Sequence, residues 1–182
     1  VRGNGNIITQ DRSVGSFAGV HSHGFFDVHV SYGPTQTVKI EAEENLQEYI
    51  ETSIDGNTLR IDTRDGYSLK PKRDVNVYIT SPNYDMVRLS GSGDIISQNQ
   101  IKDDSKIDLG ISGSGDIKVD VNSPEVTAEI SGSGTIELKG ETRRFAGSVN
   151  GSGDIKAMDL KSEETSVEIN GSGNANVFAS SK

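Results

Sequence analysis

The strongest constraint on the fold is a short phrase that returns five times between Ser90 and Asn174. It reads Gly91-Ser92-Gly93-Asp94-Ile95, Gly113-Ser114-Gly115-Asp116-Ile117, Gly132-Ser133-Gly134-Thr135-Ile136, Gly151-Ser152-Gly153-Asp154-Ile155 and Gly171-Ser172-Gly173-Asn174-Ala175. Its first glycines lie 22, 19, 19 and 20 positions apart. A fixed period of this size marks stacked coils, each burying its apolar face only against its neighbours.

Alternating strands fill the gaps between phrases. Ile117, Val119 and Val121 share one face, then Val126, Ala128 and Ile130 after the Ser123-Pro124 turn; the later coils repeat this through Phe145, Val149, Ile155, Val167 and Ile169. Two strands of about 18 Å and two turns fill one coil, and equivalent strands then pair in parallel at about 4.8 Å. An antiparallel sandwich also has strands at short intervals. Successive hairpins have no reason to reuse one phrase at every second turn, whereas stacked coils do. The expectation is therefore all-β: a β-helix-like solenoid with Gly-Ser-Gly turns over residues 90–182. A β-rich half with one short helix, residues 1–89, precedes it within a single domain.

In that first half, Gly3-Asn4-Gly5-Asn6-Ile7 reads as a degenerate copy of the phrase. Val20 to Val30 alternates as one strand, with Val20, Ser22, Phe26, Val28 and Val30 on one face and His21, His23, Asp27 and His29 on the other. Glu43 to Ile50 is the helical candidate. Asp55-Gly56 predicts a hairpin turn between Ile54 and Leu59.

The net charge of −9 repels phosphate backbones, which excludes nucleic acid as an expected partner. The chain has no Cys, hence no disulfide and no thiolate metal site. No apolar run approaches the roughly 18–20 residues of a spanning helix. Opening at Val1 with a motif in progress is what a trimmed secreted protein would show.

Two metal constellations stand out. Asp94, Asp116 and Asp154 would form a ladder able to chelate Ca²⁺, although Thr135 and Asn174 interrupt it. His21, His23 and His29 with Asp27 offer nitrogen and oxygen ligands for Zn²⁺. The plainer reading of the aspartates is turn chemistry, and of the histidines a polar strand face. Catalysis is not expected, and no cofactor is implied: the serines of the phrase recur with equal claim, and no phosphate loop is present. Arg143 and Arg144 are the residues of a conceivable polysaccharide-active site on a β-helix. Tyr67, in a loop beside the basic cluster Lys70, Lys72 and Arg73, is the candidate aromatic for sugar stacking.

The repeated Ser-Gly-Ser-Gly phrases at Ser90–Ile95, Ser112–Ile117 and Ser131–Ile136, behind a strand-rich half with a hairpin and short helix, resemble one family. It is the putative auto-transporter adhesin, head GIN domain, and the likeness runs from about Phe17 to Val177. The resemblance implies a β-helix-like fold and a secreted, periplasmic or outer-membrane-surface protein of Gram-negative bacteria. Membrane attachment would come only through a lipid anchor outside this chain. It implies an adhesin-like role and brings no catalytic residues. The expected function is accordingly non-enzymatic attachment to a glycan or surface protein through a rigid solenoid surface. A self-assembling scaffold, pairing through open β-edges, and a polysaccharide-active enzyme are the alternatives.

Overall fold

The structure, a computed structural model, describes residues 1–177. Its framework is a stack of coils, each a strand on one face, a glycine corner, and a strand on the other. The first coil is β2 (Gly19–Gly24) and β3 (Asp27–Tyr32); the second is β8 (Met86–Gly91) and β9 (Asp94–Lys102). β10 (Lys106–Gly113) follows, and then three long strands cross from one face to the other: β11 (Asp116–Gly132), β12 (Thr135–Gly151) and β13 (Asp154–Gly171), before β14 (Asn174–Val177).

Register defines two parallel faces. The first runs β3, β9, then residues 116–122, 135–142 and 154–162 of the long strands, and β14. The second runs β2, β8, β10, then residues 125–132, 144–151 and 164–171. Between them lie rungs of identical chemistry, such as Ile95-Ile117-Ile136-Ile155 and Leu89-Ile111-Ile130-Val149, all essentially inaccessible to water. Inward Val167 and Ile169 belong to the last rung of the second face and are 36% and 40% exposed, so these two do not complete a core as expected.

The unequal spacings have a structural cause. From Ile96/Lys118 to Gln100/Asp120, β9 uses two more residues than β11, and the Asp103–Ser105 turn uses one more than Ser123-Pro124. Those three residues turn a spacing of 19 into 22. A one-residue bulge around Met158, between Glu137/Lys156 and Lys139/Asp159, turns 19 into 20.

At each corner the first glycine has a φ between +117° and +127°. Its carbonyl receives the next coil: Ser114 N and Gly115 N donate to Gly91 O at 3.1 and 3.0 Å, and Ser152 N and Gly153 N donate to Gly132 O at 3.1 Å. This stacking leaves no room for a Cβ. One on Gly134 would sit 2.1 Å from Gly115 O.

The structure corrects two expectations. The sixth copy of the corner is not Gly3–Ile7 but Gly24-Phe25-Phe26-Asp27, in register with Gly91 and Asp94. Gly24 keeps the φ of +127°, while Phe26 occupies the place of the second glycine and is fully buried. Val20–Val30 is therefore two strands on different faces, broken by that corner.

The start of the stack is covered rather than open. On the first face β7 (Asn76–Ser81) pairs parallel to β3; β4 (Thr37–Glu43) pairs antiparallel to β7, and β1 (Ile7–Asp11) antiparallel to β4. On the second face β6 (Thr58–Thr63) pairs with β2, and β5 (Ile50–Asp55) completes the expected hairpin. The helical segment is a 3₁₀ helix, Glu44–Tyr49, which buries Leu46 and Gln47 across the end.

Candidate functional site

The aspartates of the corners stand in one row on the outside of the first face: Asp27, Asp94, Asp116, Thr135, Asp154 and Asn174. Two of them bind backbone. Asp116 Oδ1 accepts from Thr135 N at 3.1 Å, and Asp154 Oδ1 from Asn174 N at 3.2 Å. Asp27 is pushed above the usual carboxylate range by burial and by the charges of Asp94 and Asp74, with His29 opposing.

His21 and His23 lie on the second face and His29 on the first, so the candidate zinc set is divided by the corner. The His21 and His23 rings are 3.8 Å apart. Burial pushes His21 down to about 4, with His23, Arg60 and Arg88 adding to the shift and Asp62 opposing it. Among the described residues, no group of three or more His, Asp or Glu converges to hold a metal ion.

Arg143 pairs with Glu163, and Arg144 lies between Glu125 (3.4 Å) and Glu164 (2.9 Å) in an exposed ladder of alternating sign. Tyr67 leans on Tyr49, with Arg64 over the Tyr49 ring, at the opposite end of the stack. These candidates do not meet.

A different set does. β7, β3 and β9 place Tyr78, His29 and Ile96 side by side on the outer surface of the first face. The His29 and Tyr78 rings stack 4.9 Å apart and 15° from parallel. His29 is held at both nitrogens: Nε2 donates to Asn76 Oδ1 and Nδ1 accepts from Gln98 Nε2, each at 3.1 Å. Tyr78 and Ile96 remain 39% and 36% exposed. Two residues back along each strand stand Asn76, Asp27 and Asp94; two residues on stand Thr80, Ser31 and Gln98.

Gln98 belongs to the two-residue insertion in β9, so the irregularity of the first full repeat is what braces the platform. The same insertion supplies Asn99, whose Oδ1 accepts from Tyr32 N (2.7 Å) and whose Nδ2 donates to Tyr32 O (2.9 Å). Lys102 lies over the Tyr32 ring. Pattern reading of the sequence missed the platform because its three residues are far apart in the chain. The one available signal was the longer spacing of 22.

The class these strands define is an all-β solenoid, whose regular outer surface carries a local aromatic departure from the repeat at Tyr78, His29 and Ile96. The chain belongs to the family described as putative auto-transporter adhesin, head GIN domain, whose model matches residues 16–182. Its fold is shared with a putative adhesin from Parabacteroides distasonis ATCC 8503 (TM-score 0.78, 23% identity, 98% of this chain and 84% of that one). A putative adhesin from Parabacteroides merdae ATCC 43184 is similar (TM-score 0.76, 24% identity, the same 98% and 84%). So is a putative lipid binding protein from Parabacteroides distasonis ATCC 8503 (TM-score 0.72, 21% identity, 97% and 99%). No curated protein matches the sequence. No helix among the described residues is long and apolar enough to cross a membrane.

Proposed function

We propose that this protein is a non-catalytic adhesin-type module, displayed at the surface of a Gram-negative envelope, that binds an uncharged glycan on the Tyr78-His29-Ile96 platform. The observation that carries the reading is the fixed His29 ring stacked on an exposed Tyr78, between two rows of short polar side chains. The apolar face of a pyranose ring suits the part of the Tyr78 ring that His29 leaves exposed, and the flanking carboxylates and amides suit its hydroxyls. A ring locked before binding loses little side-chain entropy on binding. Asp27, Asp94 and nearby Glu41 set the sign of the ligand: uronate and sulfated glycans meet like charge there.

The test is a glycan array covering neutral, amino, uronate and sulfated sugars, followed by calorimetry of the best neutral ligand. Tyr78→Ala is expected to weaken binding about 2- to 12-fold, from about 0.5–1.5 kcal/mol for an aromatic contact. Neutral-glycan affinity unchanged in that variant, or binding confined to acidic glycans, would overturn the proposal.

A further inference from the structure

We propose that β1 is an exchangeable strand. Residues 1–12 of one molecule can leave the edge of β4 and be replaced by the same segment of a second copy, giving a strand-swapped dimer.

The arm buries Gly3 against the Glu43 carboxylate, but β1 itself puts no side chain into the core. All five side chains of β1 are exposed, including Ile7 at 37% and Ile8 at 36%. The first buried side chain is Phe17, and residues 12–16 before it form no strand or helix, with Val14 half-buried against the core and Gly15 O accepting from Gln36 Nε2. What holds the arm is polar, and β4 is not its only partner. Gly3 N donates to Lys70 O, Lys70 N to Val1 O, Asn4 N to Asn45 Oδ1 and Asn45 Nδ2 to Arg2 O, bonds that an exchanged arm must also re-form. Arg12 N donates to Val38 O, its guanidinium donates to the carbonyls of Gln47 and Ile50, Glu44 N donates to Asn6 O, and Gln47 Nε2 donates to Ile8 O. Gly5 N donates to the buried Glu43 carboxylate, which also accepts from Lys72 N and Arg73 N.

β4 does not depend on the arm. Val38, Ile40 and Ala42 are buried, and the strand is paired to β7 on its other side. If β1 leaves, β4 becomes an edge with free N–H and C=O groups, which is a template for an incoming strand. A second copy is the occupant that restores every lost contact, because its arm has the same sequence and register; exchange of identical elements needs no new interface. The family match begins at residue 16, at the end of the hinge, so its model covers the body that accepts the strand. With a hinge of four residues, Ser13–Ser16, the intramolecular arm competes at an effective concentration of order mM. Exchange therefore shows as dimer at comparably high protein concentration.

This inference is independent of the glycan reading, and its test uses the absence of cysteine from the chain. Asp11 and Lys39 face each other across β1 and β4, 3.9 Å apart as an ion pair, with side chains 82% and 52% exposed. They form a non-hydrogen-bonded pair, since Arg12/Val38 is the bonded one, and such pairs bring side chains closest. Asp11→Cys and Lys39→Cys chains are mixed in the folded state at about 1 mM, the scale of the effective concentration, in a glutathione redox buffer. The expected product is a disulfide-linked heterodimer of twice the mass by light scattering, with unchanged circular dichroism. Asp11→Cys mixed with Asp55→Cys, which is off register, is expected to give none. Hydrogen exchange at the amides of Ile8 and Gln10 should be at least 100-fold faster than at Ile79. A yield no greater than the off-register control, or Ile8 and Gln10 amides as slow as Ile79, would overturn the proposal.

Discussion

Replacing Gly132 by Ala tests whether the corner phrase exists for close stacking. A Cβ at Gly132 would lie 2.4 Å from Gly113 O, about 1 Å inside ordinary contact, on a backbone with φ +125°. That φ lies beyond the left-handed region other residues visit, at a cost of about 1–3 kcal/mol. Relieving the clash means separating two coils locally, which strains the Ser133 N to Gly113 O bond (3.1 Å) and the two bonds to Gly132 O (3.1 Å). Losing one or two of these adds about 0.5–1.5 kcal/mol each. The total is about 3–5 kcal/mol, against a net stability of about 5–15 kcal/mol for a domain, and corresponds to a fall in Tm of roughly 6–20 °C. Gly56→Ala is the control, because its φ is +63° and nothing lies within 4 Å of the added carbon; it should cost only about 1–2 kcal/mol. Gly134→Ala separates the causes, since its φ is not positive and its defect is steric alone, 2.1 Å from Gly115 O and 3.0 Å from the Ile111 methyl. Thermal and urea unfolding measure all three. If Gly132→Ala and Gly134→Ala melt within about 2 °C of Gly56→Ala, a difference below about 1 kcal/mol, close approach of the coils is not why the phrase recurs.

Three further outcomes follow from the side chains around the corners. Asp154 Oδ1 accepts from both N and Nδ2 of Asn174, at 3.2 and 3.3 Å, so Asp154→Ala should cost about 1 kcal/mol. Asp154→Asn keeps the acceptor and should stay within about 0.5 kcal/mol in urea; a calcium-dependent rise in Tm lost in the Asn variant would instead mark the row as a cation site. His21 is held at about 4 against an ordinary 6.5, so between those values the unfolded chain binds a proton that the folded one refuses. Stability should fall as pH drops from about 6.5 toward 4, and His21→Gln should flatten that part of the pH–stability curve. Arg144→Ala removes contacts to Glu125 and Glu164 with the arginine side chain 58% exposed, and equilibrium unfolding should register no more than about 1 kcal/mol.

The recurrence of Gly-Ser-Gly was legible because each copy meets the same obstacle, the carbonyl of the copy beneath it. The sixth copy was not, and the reason lies in the same obstacle. A Cβ on Gly93 would lie 2.3 Å from Phe26 O, a residue of the corner beneath it, whereas Phe26 stands on the first coil, beside Val75 just before β7 and not above another glycine corner. Its side chain instead turns inward and closes the core. The positive φ persists at Gly24 because the chain must still change faces there. Conversely, Gly3-Asn4-Gly5 shares only composition with the phrase. Gly3 has no room for a side chain because the Glu43 carboxylate fills it, a contact between residues too distant for any local pattern to reveal.

The same contrast explains where a binding site can lie on such a fold. Coils obeying the repeat present the same rows at every level: Lys118, Glu137 and Lys156 alternate in sign along one row, as Glu125, Arg144 and Glu164 do along another. Such rows satisfy themselves through cross-strand pairing and distinguish no position from the next. Specific recognition needs a level unlike its neighbours, and the strongest local departure on the first face is the insertion in β9. It costs two residues of regular pairing and in return fixes His29 through Gln98 and the Tyr32 backbone through Asn99. Deleting Gln98 and Asn99 would bring β9 closer to the repeat. Binding at Tyr78 should then weaken even though Tyr78 itself is untouched, because His29 loses one of the two bonds that hold its ring. A shortened chain that binds neutral glycan as tightly as the original would show that the brace, and with it the argument from irregularity, is unnecessary.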